Sequence, residues 1–445
     1  MYMKTILKQI LAVSVLSITT IPAIAQHYFS DAQKSEWLKK AQENTPELFY
    51  TTIKPEIQVD IIADPQAFQG YKAVNPRKAE GLYSESFKGK SGIVLDLGDH
   101  YTGYFTFRVE EFQSDSDAPI RLKFTFSEVP AELRIPFDPY KGTISRAWLQ
   151  DEVVTIEQLP ATIKIPRRLS CRYLQIDILG DSQYAQYRIS DMKFVAQTSA
   201  KGSPAPLNTS DKLLREIDKV SQKTLRECMQ TVFEDGPKRD HRLWIGDLYL
   251  QMLADNYTFQ NRALAKRCLY ILAGLCKDDG YLNHTIFETP VPHPQVVPIL
   301  LYEYALIYNA TLNDYLQETH DTQTALDLWP VAKRQIEKIP SLLDKDGLFD
   351  PEKANKQGLW QLVDWQERLD RQASEQGIYI FALEQTYQLA KTLGKEKEVA
   401  HVPALIKQMK KGAMKLYDKQ KGVFVSGKDR QVSYASQTWM VLAKT

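Results

Sequence analysis

Apolar positions along the chain follow two different periods. From Ile57 to about Gln197 the period is close to two: Phe105, Phe107 and Val109 alternate with polar neighbours. Ile120, Leu122, Phe124 and Phe126 do the same, as do Leu174, Ile176 and Ile178. Turn-forming stretches such as "LGDHYTG", "SDSDAP" and "LPAT" separate these runs. Short alternating strands with frequent turns predict an antiparallel β-sandwich, which with a short amphipathic helix in "SDAQKSEWLKKAQENTPELF" fills residues 26–197. Residues 198–211, "TSAKGSPAPLNTSD", read as a linker by their Ser, Pro, Gly and Asn content. Beyond it the period becomes helical, with Leu213, Leu214, Ile217, Val220, Leu225 and Val232 at three- and four-residue steps. Further helices are expected at 244–258, 262–276, 295–311, 325–344, 372–394, 399–418 and 434–443. Short links between them imply antiparallel hairpins within a domain spanning 212–445. No fixed-period repeat marks a solenoid.

The first 25 residues form a separate unit. Lys4 and Lys8 precede an apolar stretch, and Ala23-Ile24-Ala25 precedes Gln26. This is the layout of a cleaved signal peptide, so export to the periplasm or outside the cell is expected. No later stretch is apolar enough to span a bilayer. Four cysteines make no disulfide framework, and Cys268 and Cys276 stand about 12 Å apart if helical. Without CxxC, HxxxH or HExxH spacing, no metal or other cofactor is called for. Lys+Arg 56 against Asp+Glu 55 leaves a formal charge of +1, which gives no basic footprint for nucleic acid.

The chemistry concentrates in "EDGPKRDHRLWIGD", Glu234 to Asp247. Gly236-Pro237 stops the preceding helix, and a new helix starting near Asp240 would set Asp240, Trp244 and Asp247 in one row. Carboxylates crowded together cannot all ionise, so one serves as an acid near neutral pH, and the indole offers a wall for a sugar ring. The same residues also read as an N-capped helix whose aspartates favour its positive end and pair with Lys238, Arg239 and Arg242. Spacing leaves both readings open.

The segment closely resembles the signature of the α-L-rhamnosidases of glycoside hydrolase family 78, an Asp-x-Pro-x-Arg-Asp/Glu run followed by Trp and Gly-Asp. "GIVLDLGDHYTGYFTFRVEEFQ" resembles the family's sandwich, and "LVDWQERLDRQASEQGIYIFALEQTYQLAKTLGK" its Asp-Trp segment with the helix after it. The resemblance implies an (α/α) six-hairpin barrel after the sandwich and inverting hydrolysis of terminal α-L-rhamnose, so the expected partner is a rhamnose-containing glycan. It makes Asp240 the general acid and Asp235, Arg239, Trp244 and Asp247 sugar-binding. His241 would tune the acid or contact the sugar, and Asp364 and Trp365 would share the cleft. It implies a Glu base late in the barrel, whereas eight helices fall short of twelve and the chain stops at "SYASQTWMVLAKT". A C-terminally shortened barrel with exposed apolar helix faces is therefore expected. A sugar-binding remnant without turnover and another six-hairpin glycosidase or lyase are the alternatives.

Overall fold

A computed structural model describes residues 27–295 and 300–445; the expected signal peptide lies outside them. Nine antiparallel strands form one hydrogen-bonded system in the N-terminal domain. Its organiser is the long strand Ile93–Glu111, which pairs with Leu169–Gly180 in its first half and with Tyr187–Thr198 in its second. The register changes between Asp96 and Tyr101, so one strand serves two faces. Alternation decides what is inside: Phe105, Phe107, Phe124 and Phe126 are all buried, with the Phe107 and Phe124 rings 4.6 Å apart. Burying each such ring stabilises the fold by about 1.5–3 kcal/mol.

The helical domain holds a counterpart to each expected helix, plus the short Pro351–Lys356. Boundaries moved where capping overrode apolar spacing. One helix runs Tyr302–Thr319 and stops at His320, whose φ is 56°. The next runs Thr322–Ile336, capped by Asp321, which accepts from the Thr324 amide. The long helix Gln372–Leu393 is the hub, packed against Tyr302–Thr319, Thr322–Ile336, Val402–Ala413 and Tyr434–Leu442. Ile245–Asn256 also packs on Tyr302–Thr319, and its Tyr249 meets Phe381 of the hub helix at 6.4 Å. Among the described residues no helix is long and apolar enough to cross a membrane, and all four cysteines are free and buried.

One expectation is corrected here. The helix Asp31–Glu43, assigned with the sandwich, packs on Arg262–Gly274, and its Trp37 and Ala41 belong to the helical core. Arg267 fixes it by donating to the Ala41 carbonyl at 2.9 Å. The helix expected from the apolar steps after residue 211 runs Lys212–Cys228, with its stripe open: Leu213 is 68% and Val220 61% exposed, and only the last turn is buried.

Candidate active site

The motif does not begin as a helix. Asp235 and Arg242 close a loop: the Asp235 amide donates to the Arg242 carbonyl at 2.9 Å, and the Arg242 amide to Asp235 Oδ1 at 3.2 Å. Inside the loop Asp240 and His241 have φ of 72° and 53°. Left-handed non-glycine residues cost about 1–3 kcal/mol each and persist only where the surroundings force them. Arg242–Trp244 is a strand paired with Thr285–Phe287, and the helix Ile245–Asn256 starts after it. The expected helical row of Asp240, Trp244 and Asp247 is thus replaced by a turn, a strand and a first helical turn.

Strand alternation brings the same side chains together by another route. Leu243 is buried on one face, while Arg242 and Trp244 share the other. Trp244 Nε1 donates to Asp240 Oδ2 at 3.2 Å, and Arg242 and Arg239 each lie 3.5 Å from Asp240 Oδ1. Asp240 is 8% exposed, so those donors meet it in a largely dehydrated setting. Trp244 itself sits between His284, at 5.4 Å, and Tyr304, at 6.2 Å. Gly246 permits the latter contact, since a Cβ there would lie 2.6 Å from the Tyr304 ring. Burial pushes the Asp235 carboxyl up to about 7, and the charges of Asp240 and Asp247 add to it. Burial also raises Asp247. It pushes His241 and His284 down to about 4, so both imidazoles are neutral at pH 7.

Asp247 faces a cavity of about 420 Å³, lined also by Glu303, Tyr304, Asp364, Trp365 and Trp439. The structure therefore gathers Asp364 and Trp365 beside Asp247, and the Trp244–Tyr304 contact links this wall to Asp240. Trp365 is 76% exposed, with its edge against Trp360 at 5.9 Å. Arg371 donates to the Asp364 carbonyl at 2.9 Å and fixes the turn. Glu303 was not singled out from sequence. It accepts from the Leu362 amide at 2.6 Å, and burial beside the Glu375 charge holds its carboxyl far above the usual range. A lone acid inside the apolar run "LLYEYALIY" was the available signal. On the neighbouring segment His284 joins Trp244, whereas Glu288 is occupied by Arg267 at 2.8 Å and His293 stacks on Phe287 at 5.0 Å.

The sandwich grips the motif loop at three points. Arg168 Nη2 donates to buried Glu234 at 2.5 Å. Lys238 Nζ donates to Glu128 Oε2 at 3.0 Å and also to Glu132. Trp148 meets the His241 ring edge-on at 5.5 Å. Glu128, just past the strand Ile120–Ser127, is thus a loop anchor, tied also to His100 Nε2 at 3.1 Å.

Comparison with known proteins places this arrangement. Residues 55–196 match the glycosyl hydrolase family 78 alpha-rhamnosidase N-terminal domain. Residues 204–443 match the bacterial alpha-L-rhamnosidase 6 hairpin glycosidase domain. A rhamnosidase from Klebsiella oxytoca, solved with rhamnose bound, is 36% identical over 92% of this chain and 79% of its own, with a TM-score of 0.86. The GH78 rhamnosidase of Bacillus sp. GL1 is 20% identical over 79% of this chain and 35% of its own, TM-score 0.64. The alpha-L-rhamnosidase of Dictyoglumus thermophilum is 16% identical over 89% and 40%, TM-score 0.61. These last two share the fold. A search of curated proteins finds no match. With its sandwich and most of its helical domain both matched, the chain belongs to the α-L-rhamnosidases of glycoside hydrolase family 78.

Proposed function

We propose that this glycoside hydrolase is exported and removes terminal α-L-rhamnose from glycans with inversion, using Asp240 as general acid. The carrying observation is the setting of Asp240: buried, bonded by the Trp244 indole N–H, and flanked by Arg239 and Arg242. In this reading the acid gives its proton to the departing glycosidic oxygen, while Trp244, Asp247, Asp364 and Trp365 hold the rhamnose ring. Arg239, Asp235 and His241 flank the acid, and a neutral Asp235 donates to a sugar hydroxyl. Inversion needs a second carboxylate about 6.5–9.5 Å from the acid, poised over water on the opposite face. The rhamnose in the Klebsiella oxytoca structure supports the choice of sugar, and the Lys-rich start, apolar stretch and Ala23-Ile24-Ala25 support export.

The test is turnover of an aryl α-L-rhamnoside by the intact chain. Hydrolysis that releases the β-anomer first, and is lost in Asp240→Asn, supports the reading. Rhamnose binding without hydrolysis at any pH would reduce the protein to a sugar-binding module. One observation favours a second assignment: Asp235 rests near pKa 7, the range of a working acid. If Asp235→Asn abolishes turnover while Asp240→Asn only weakens it, Asp235 is the acid. Recovery of exported protein beginning at Gln26 tests the signal peptide, and retention of Met1 in that fraction refutes cleavage.

A further inference from the structure

Lys238, Arg239 and Arg242 follow the turn Gly236-Pro237, and spacing alone would pair all three with the aspartates around them. The structure separates them. Arg239 and Arg242 lie at Asp240, whereas Lys238 turns away to the sandwich and donates to Glu128 Oε2 at 3.0 Å and to Glu132. Lys238 stands between the residues that close the loop, Asp235 and Arg242, and just before the left-handed turn at Asp240 and His241. A turn of that kind keeps its shape only where its surroundings force it. The closure fixes the base of the loop. The ammonium, a point charge with three N–H donors, fixes its middle.

The receiving end in the sandwich is itself held on several sides. Glu128 Oε1 lies 3.1 Å from His100 Nε2, and the same nitrogen lies 3.2 Å from Ser170 Oγ. Ser170 is wholly buried, and its backbone exchanges two bonds with the Gln150 side chain, both at 2.7 Å. Two residues before Gln150 is Trp148, whose ring meets His241 edge-on at 5.5 Å. One polar cluster thus stands behind both contacts, Lys238 ahead of Asp240 and His241 after it. Among the described residues, the cavity of about 420 Å³ beside Asp247 is lined by none of Lys238, Glu128 and Glu132. Glu128 and His100 face instead a separate groove of about 610 Å³. The clamp therefore acts on the loop and not on a sugar held in that cavity.

We infer that Lys238 is a positioning residue for the general acid: clamped by Glu128 and Glu132, it holds the left-handed turn that aims Asp240 at the departing oxygen. The sandwich is then a working part of the catalytic unit, through the strand end that carries Glu128. The inference rests on the proposed role of Asp240. It has a chemical consequence that lost stability would not produce. Proton delivery, worth about 10²–10⁴-fold, matters most when the leaving oxygen is strongly basic. Methoxide departs only with a proton, whereas 2,4-dinitrophenolate is a stable anion and departs without one. A misplaced acid therefore slows the methyl glycoside and spares the dinitrophenyl one, while a loosened fold or a damaged sugar site slows both.

The experiment compares methyl and 2,4-dinitrophenyl α-L-rhamnosides on full-length protein. In Lys238→Met, kcat/KM should fall about tenfold or more for the methyl glycoside and stay within about twofold for the dinitrophenyl one. L-Rhamnose should bind to this variant as it does to the parent. Lys238→Arg, which keeps the charge and the reach to both carboxylates, should recover most of the loss. Asp240→Asn should show the same pattern more strongly. If Lys238→Met does not fold, Glu128→Gln, which keeps the side chain's size and weakens the clamp, should show the pattern at about fivefold. An equal loss for both glycosides, or no loss in a folded Lys238→Met protein, overturns the positioning role. Asp240→Asn that slows both glycosides alike removes the acid assignment and the inference with it. The pattern in Asp240→Asn but not in Lys238→Met overturns the inference alone.

Discussion

Two groups of carboxylates sit near one another in the helical domain, and they are managed in opposite ways. Asp240 stands in a strained loop among hydrogen-bond donors, with an indole N–H at 3.2 Å and two guanidinium groups at 3.5 Å. Glu303 and Glu375 stand on two packed helices, 3% and 0% exposed, with Arg371 as the nearby opposing charge. Burial dominates there, lifting Glu375 to about 8 and Glu303 well above its usual range. The difference teaches what fixes a carboxyl's task. Donors arranged around Asp240 fix the orientation of its carboxyl, whereas burial makes Glu303 and Glu375 hold their protons. Local strain follows the same division: left-handed φ values occur at Asp240 and His241, while the glutamates lie in regular helix.

The largest effect should come from undoing the frame around the motif. Arg168→Met strands buried Glu234 without its partner, a loss expected to cost about 3–5 kcal/mol in urea unfolding. A smaller cost would show that the sandwich grips the loop less firmly than its contacts suggest. Next comes the donor to the acid. Trp244→Phe keeps the aromatic between His284 and Tyr304 but removes the N–H. The N–H would stabilise the carboxylate that forms as the proton leaves, a bond worth about 1.5–3 kcal/mol, so kcat should fall about 10–100-fold with little change in melting temperature.

The comparison sharpens further at Glu303 and Glu375. Glu303→Gln imitates the protonated form and should retain activity within a few-fold, while an equivalent change at Asp240 should not be tolerated. Loss of activity in a folded Glu303→Gln protein would break the contrast, because it would make that carboxylate an ionised participant. The pH dependence has a definite sign. Glu375 rises from 4.5 to about 8 on folding, so between those values the native state holds more protons than the unfolded chain. Its contribution to stability is therefore full below about 4.5 and declines as pH rises to about 8. Glu375→Gln should flatten that decline in thermal melts across the window; an unchanged slope contradicts the assigned burial effect. The smallest change concerns Asp235, raised from 3.8 to about 7. Asp235→Asn should remove a loss of stability between about pH 4 and pH 7, read from the same melts.

Parts of this were legible in the sequence and parts were not. Alternation of Phe105, Phe107 and Val109 fixed both the strand and its buried face, because one buried side imposes a period of two. The motif's order named the residues that come together, but not how. A helical reading of Asp240 to Asp247 failed because left-handed backbone at Asp240 and His241 depends on the closure between Asp235 and Arg242 and on packing from the other domain. Spacing carries no record of such contacts. Glu128 and Trp148 were missed for the same reason, since each acts on the motif across roughly a hundred residues of chain. The Asp31–Glu43 helix, too, was amphipathic on its own account, and only Arg262–Gly274 shows which domain it covers. Leu213 and Val220 give the reverse lesson: a helical apolar stripe establishes a helix, not its burial.

The most direct test follows the anomer first released from an aryl α-L-rhamnoside by proton NMR, using the intact chain and its Asp240→Asn variant. The β-anomer should appear first and then mutarotate, and the variant should be at least about a hundredfold slower while L-rhamnose affinity is kept. An α-anomer at first release, or an Asp240→Asn protein as fast as the parent, would contradict the assignment of Asp240 as the acid of an inverting rhamnosidase.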